Sequence, residues 1–394
     1  MAVITRHVLV ELLKTFVLAS AAITGLMVLL ILVQEAWREQ LTLWAILELV
    51  PYTIPTSLCF AIPGTILFAA CVTYGRMSAA NEVVAIKASG IHPWAVLQPG
   101  LVLAFLLSLV TVYLNDISVS WGRRGAYRVI LHSSAHTIYT MLRAQGTFAK
   151  GRIYIDVDEV RGEDLINPFI TRMAERGEDP LEMRAERARI FVDPENDQLV
   201  IELVNGHVSV GSKLVFECDH KEFPVPLGDV TKKTDSGDSP SNMELRNIPR
   251  ELVRHRAELT ELRRRLATKM ATQTATGDIV GLTHPKWSAE FDRLKTEVYR
   301  EHRLRSEPWR RWANGFSCLC FMLIGAPLAI LMRRFDFWTN FAICFMPILL
   351  LYYPLMMLGV SQTKSGALPP WMVWTGNVAL ACVGYWLLRR VHKN

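Results

Sequence analysis

The fold class this sequence predicts is an α-helical membrane protein of six spans with an inserted antiparallel β domain, and three observations predict it. Six charge-free apolar stretches each supply the roughly 20 residues that a helix needs to cross about 30 Å of hydrocarbon. They are grouped three and three at the two ends of the 394-residue chain. Between the groups, the pattern changes first to period two and then to a heptad of leucines.

The spans run over 15–33, 49–75, 93–115, 312–332, 337–363 and 365–388. Ala19-Ser20-Ala21 in the first looks like a signal-peptidase site, but the apolar run continues twelve residues beyond it. That is longer than a signal peptide's core should be, so the segment reads as an uncleaved first helix. Charged residues make up 20% of the chain against roughly 25% in soluble proteins, and they crowd its middle. The net charge of +6 sits beside apolar segments or alternates with acids, so it marks topology and a solvated helix face and points away from nucleic acid.

Orientation follows from the short loops, because lysine and arginine accumulate on the cytoplasmic side. One set of faces carries Arg6, Lys14, Arg76, Lys87, Arg333, Arg334, Arg389, Arg390 and Lys393; the other carries Arg38 and Lys364. Both termini are thereby expected in the cytoplasm, and residues 116–311 outside it. Arg123, Arg124 and Arg128 oppose this weakly, but long translocated segments escape the charge rule.

Proline removes a backbone donor and bends a helix. The second span holds Pro51, Pro55 and Pro63, and the fifth holds Pro347 and Pro354. Packing geometry and a bending gate are equally compatible with them. The loop between the second and third spans, RMSAANEVVAIKASGIH, predicts a short helix near 78–90. Ser78 or Asn81 would cap it, Glu82 would sit at its positive end and Gly90 would close it. With Val83, Val84 and Ile86 on one side, it either lies on the membrane or docks on a partner.

In the middle, residues 152–158, 188–192, 198–204 and 213–218 alternate apolar and polar, with Asp193-Pro194-Glu195-Asn196 and Asn205-Gly206 as turns. They predict an antiparallel sandwich or jellyroll-like domain over 116–228, followed by a polar linker over 229–243. Leu245, Leu252, Leu259 and Leu266, with Ile248 and Leu262, then form a coiled-coil-like seam. A second helix carries Trp287, Phe291, Leu294 and Val298, making a helical hairpin over 244–311 that packs on itself or on the β domain. The flanking membrane segments are 1–115 and 312–394.

Catalytic chemistry is missing from the pattern. Of seven cysteines, six lie in apolar segments and only Cys218 in the polar middle, which leaves no intradomain disulfide. Gly206-His-Val-Ser-Val-Gly-Ser-Lys213 mimics a phosphate loop, but its lysine is one place late and it lies in a β hairpin. His132 and His136 have no third ligand nearby, so neither metal nor cofactor is expected. With no acid or lysine inside a span, proton-coupled transport is disfavoured and energy must come from a separate subunit.

Three groups of residues carry a family resemblance. Ile62-Pro63-Gly64, Gly75-Arg76-Met77, Asn81-Glu82 and Ala88-Ser89-Gly90-Ile91 form the first. His302-Arg303-Leu304-Arg305, Ile324-Gly325-Ala326-Pro327-Leu328 and Arg333-Arg334 form the second. Tyr352-Tyr353, Leu368-Pro369-Pro370-Trp371, Trp374 and Asn377 form the third. In this order around a three-plus-three topology, the sequence resembles the LptF/LptG permease family.

That resemblance implies a non-catalytic inner-membrane subunit that extracts lipopolysaccharide or a related glycolipid, driven by a cytoplasmic ABC ATPase dimer. It also implies a second permease of the same family, as a heterodimer or a homodimer, and a periplasmic bridge of jellyroll folds. Carried over by residue, Glu82 would face the ATPase with Arg76, Asn81, Lys87 and Gly90 around it. The first and fifth spans would form lateral gates, the fifth with Pro347 and Pro354. Arg38 would contact lipid phosphate, although a plain interfacial anchor explains it as well. The hairpin is longer than the family pattern. Rival readings are a lipoprotein or other lipid exporter, usually of four spans; a sensor or scaffold, for which no output domain follows the last span; and a membrane-embedded enzyme.

Overall fold

The computed structural model describes residues 2–393 except 40, 151–152, 174–180, 194–197, 211–212, 226–238, 277–284 and 333–336. Arg333, Arg334, the first sequence-predicted turn and most of the linker therefore lie outside the described residues, as do the side chains of His132, His136, Cys218 and Lys393. The chain forms two compact units. One comprises Met1–Met27, Pro55–Ser120 and Pro240–Asn394; the other comprises Val28–Ile54 and Trp121–Ser239.

Among the described residues, six helical segments are long and apolar enough to cross a membrane: Val3–Arg38, Leu43–Ala79, Trp94–Ile130, Trp287–Leu331, Phe337–Lys364 and Pro370–Val391. The first unit draws on α1 (Ala2–Glu39), α2 (Leu43–Ala79), α3 (Glu82–Ala88) and α4 (Trp94–Ile117). Lipid is as apolar as leucine, so close backbone approach and shape must hold these helices together. Ala69, Ala70, Ala104, Ala326 and Ala329 accordingly share one core with Leu12, Ile66, Val96 and Met322, all essentially inaccessible. Tyr74 in that core donates its hydroxyl to the carbonyl of Val96 at 3.1 Å, pinning α2 to the start of α4. A second cluster joins Leu67, Phe321, Ile324, Ile348, Tyr352 and Leu380.

The hairpin consists of α6 (Ile248–Ala275) and α7 (Pro285–Leu331). Ile248, His255, Leu259 and Leu266 are buried, in agreement with the heptad. Trp287 is buried too and donates from its indole nitrogen to Gln273 at 3.0 Å, whereas Phe291 is exposed. No break separates the hairpin from the fourth span: α7 is a single 47-residue helix, about 70 Å long at 1.5 Å per residue. The remaining helices are α8 (Phe337–Pro347), α9 (Tyr353–Lys364) and α10 (Thr375–Lys393).

In the second unit, α5 (Arg124–Gln145) leads into an antiparallel sheet that has, among the described residues, eight strands: β1 (Thr147–Lys150), β2 (Ile153–Asp156), β3 (Glu159–Arg161), β4 (Asp164–Ile166), β5 (Phe169–Arg172), β6 (Leu181–Asp193), β7 (Gln198–Val210) and β8 (Lys213–Val225). One edge of β6 receives β5 and β4 end to end; its other edge pairs along its length with β7, which pairs with β8. Ile155, Leu165, Ile170, Ala188, Leu203 and Val208 form the core, closed by Ile138 and Leu142 of α5. Tyr139 locks that helix in place. Its hydroxyl accepts from the Ile190 amide at 2.8 Å and donates to the Glu163 carbonyl at 2.8 Å.

The Asn205-Gly206 expectation needs correcting. Both residues lie inside β7, not in a turn. Asn205 takes a left-handed φ of 50° and its amide donates to Glu186 at 2.9 Å, while Gly206 pairs across to Ala185 and Cys218. A Cβ at Gly206 would stand 2.8 Å from the Arg184 carbonyl, so glycine serves close strand approach there.

Candidate coupling, gating and junction sites

Residues 76–92 fold into a helix of seven residues, shorter than the range over which it was sought. Its ends differ from the sequence expectation in one respect. Neither proposed cap accepts from the helix start: Asn81 takes a left-handed φ of 58° with no side-chain capping bond, and Ser78 donates instead to the Ile330 carbonyl at 2.8 Å. The C-terminal expectation does describe the geometry. Gly90, at φ 78°, returns its amide to Lys87 at 3.0 Å, and Ile91 returns its own to Ile86 at 3.3 Å. This pair of reversed bonds is the Schellman closure, which glycine adopts without a Cβ penalty.

Val83 is buried in the same core as Met77 and Val96, so α3 is seated by its apolar side. Glu82 is exposed in its first turn, where the helix dipole favours a carboxylate. Lys87, in the last turn, donates to the Val391 carbonyl at 3.0 Å and so ties α3 to the end of α10. Arg76 forms an exposed ion pair with Glu11 of α1 at 2.9 Å. Arg76, Asn81, Glu82, Lys87 and Gly90 therefore form one contiguous group in the first unit, linked to three spans.

Pro347 and Pro354 flank a π-helical turn, Ile348–Tyr352. A proline in a regular helix clashes with the carbonyl four residues back, here Leu350 for Pro354, and widening the turn relieves that contact. Ile348 and Tyr352 point into the core, where Tyr352 meets Phe321 edge-on at 5.3 Å. Leu349, Leu350, Met357 and Leu358 face outward. Arg38 is exposed in the last turn of α1 and belongs to the second unit.

A third constellation was not singled out in the sequence. Arg311 of α7 is fully buried and donates to the Met243 carbonyl at 2.6 Å, the Ser241 carbonyl at 3.3 Å and Asp116 at 3.3 Å. Asp116 also accepts from the Leu245 amide at 2.9 Å. Glu307, equally buried, accepts from Ser241 at 2.8 Å and from both Nε and Nη2 of Arg310, at 3.0 and 2.8 Å. The segment around the 3₁₀ turn Pro240–Asn242 is thereby clamped by charge-assisted bonds, although composition marked it as the end of a linker. A signal for this was present. Asp116 directly follows the third apolar stretch and Arg311 directly precedes the fourth, which puts opposite charges at one membrane depth.

Six membrane-crossing segments in two groups of three, with a β-rich insertion between them, define a multi-pass membrane protein whose polar features lie at the span ends. The profile described as lipopolysaccharide export system permease LptF/LptG matches residues 6–390, and the chain belongs to that family. It is accordingly a permease of the inner membrane. Comparison with curated proteins finds no match.

Proposed function

We propose that this chain is the permease subunit of an ABC exporter that lifts lipopolysaccharide, or a related glycolipid, out of the inner membrane and passes it to a periplasmic bridge of jellyroll folds. In this reading both termini are cytoplasmic and the β domain over 116–228 is periplasmic, together with the 229–243 linker and the 244–311 hairpin. The protein pairs with a second permease of its family and hydrolyses no ATP itself; a cytoplasmic ATPase dimer does so.

The observation that carries the coupling reading is the seating of α3. A short helix with an outward acid, an apolar side buried among the spans and a lysine fastened to the last span can transmit a push to the membrane core. Glu82 is the contact acid, Arg76 and Lys87 brace it, and Asn81 and Gly90 set the two ends of the helix. Pro347 and Pro354 supply the bend of the gate span, and Arg38 contacts lipid phosphate.

Affinity purification in mild detergent, with mass spectrometry of proteins and lipid, tests this reading. The expected result is a soluble ATPase, a second six-span homologue and bound lipopolysaccharide, with the ATPase reduced by Glu82→Arg. A chain that emerges without an ATPase under every gentle condition would remove the energy source and refute the proposal.

A further inference from the structure

A cleft of about 740 Å³ opens between the start of α4 and the end of α10. It is lined by His92 and Trp94 on one side and by Tyr385, Trp386, Arg389 and Arg390 on the other. Its volume falls inside the range of about 300–1,000 Å³ typical of small-ligand sites. Val391, whose carbonyl receives Lys87, also lines it; Arg76, Glu82, Pro347, Pro354 and Arg311 do not.

Its lining combines three kinds of side chain: Leu97 and Leu388 are aliphatic, and aromatic and cationic groups stand with them. Trp94, Tyr385 and Trp386 are each about half exposed, as aromatic side chains are at the boundary between acyl chains and head groups. Arg389 and Arg390 lie one helical turn beyond Tyr385 and Trp386 and rest on their rings, at 4.5 and 5.5 Å from the centroids. Arg389 also donates to the Tyr385 hydroxyl at 2.6 Å.

Each ring holds its guanidinium close by, and a guanidinium has five N–H donors, more than one ring contact or hydroxyl can use. Among the described residues, no carboxylate pairs with Arg389 or Arg390. Two cations beside aromatic rings, with Leu97 and Leu388 in the same lining, fit a ligand that has a phosphate at one end and acyl chains at the other. Free phosphate would leave the two leucines bare, and a zwitterionic lipid would set its ammonium against the arginines.

We infer that this cleft is a binding site for one anionic glycerophospholipid of the surrounding bilayer, its phosphate held by Arg389 and Arg390 and its acyl chains lying along Leu97 and Leu388. Basic pockets between membrane helices hold anionic head groups by the same combination of Coulomb attraction and apolar burial. The lipid would brace the end of α10, whose Val391 carbonyl receives Lys87 of α3.

The test is native mass spectrometry of the full-length protein from nanodiscs of phosphatidylcholine containing a minority of phosphatidylglycerol, with no lipopolysaccharide present. The wild type should retain one phosphatidylglycerol in preference to phosphatidylcholine. Arg389→Gln/Arg390→Gln should lower that retention by roughly an order of magnitude, since each arginine near a membrane surface contributes independently. Arg389→Lys/Arg390→Lys should restore part of it, and equal melting temperatures of the three proteins would exclude misfolding as the cause. Equal retention of the two lipids by wild type, or retention unchanged in the glutamine variant, would overturn the inference. So would loss of the lipid whenever the protein is purified with a soluble partner, because the face would then belong to that partner. Lipopolysaccharide export can fail or succeed independently of these readouts.

Discussion

Arg311, at the entry to the fourth span, donates to Asp116, just past the end of the third, at 3.3 Å, with the Arg311 side chain fully buried. Around this pair the carbonyls of Ser241 and Met243 and the amide of Leu245 are all engaged. Backbone groups buried without partners cost free energy, so each of these bonds fixes the direction in which the chain enters the hairpin. The two membrane-bound halves of the first unit are thus joined by a polar knot at one end as well as by apolar packing.

That knot yields the first prediction. Arg311→Met removes one buried charge and leaves Glu307 with only Arg310 to balance it. Breaking a buried pair from one side costs about 3–5 kcal/mol, far more than losing an exposed pair. The denaturation midpoint in detergent should fall strongly for Arg311→Met. It should hardly move for Arg76→Gln, whose partner Glu11 sits in an exposed bridge.

The closure of α3 gives the second. Gly90→Ala forces a Cβ onto a left-handed residue, at a cost of about 1 kcal/mol, and weakens the reversed bonds to Lys87 and Ile86. Lys87→Met frees the Val391 carbonyl. Both variants should keep the fold by circular dichroism while recovering less ATPase on purification.

A third concerns the fifth span. Pro354→Ala restores the backbone donor and removes the clash that the π turn relieves. The span should straighten, and lipopolysaccharide crosslinking through photoreactive groups at Leu350 or Met357, both outward-facing, should change in pattern while expression does not.

The β domain supplies a fourth. Tyr139→Phe deletes two hydrogen bonds that hold α5 to the sheet; water can reach the exposed Glu163 carbonyl and less readily the part-buried Ile190 amide, so the loss should be about 1 kcal/mol in urea unfolding. Burial pushes the Tyr139 hydroxyl above the usual tyrosine range, ahead of the smaller effects of its neighbours. A raised folded-state pKa means that the stabilisation is whole below the unfolded value and is lost as pH rises through the folded one. Wild type should therefore lose stability at strongly alkaline pH more steeply than Tyr139→Phe.

Much of this architecture could be read from the chain because bilayer thickness imposes a length that composition displays directly. Strand alternation was equally open, and so was the closing glycine of α3, since a left-handed residue favours one amino acid. What escaped depended on three-dimensional partners. Asn205-Gly206 has turn chemistry, but its neighbours Arg184, Ala185 and Glu186 hold it within a continuous ladder. His255, between Ile248 and Leu259, is buried although a histidine does not mark a seam; its ring meets the Glu297 carbonyl at 2.9 Å. Ser78 looked like a cap until Ile330 competed for its hydroxyl.

The central claim is that this chain moves lipopolysaccharide by coupling through α3. Its most direct test is ATP-driven release of lipopolysaccharide from proteoliposomes holding the chain with its co-purified partners and a soluble jellyroll acceptor. The account predicts ATP-dependent transfer to the acceptor, abolished by Glu82→Arg although the protein is still inserted. ATP hydrolysis with no transfer from the wild type, or full transfer from Glu82→Arg, would contradict it.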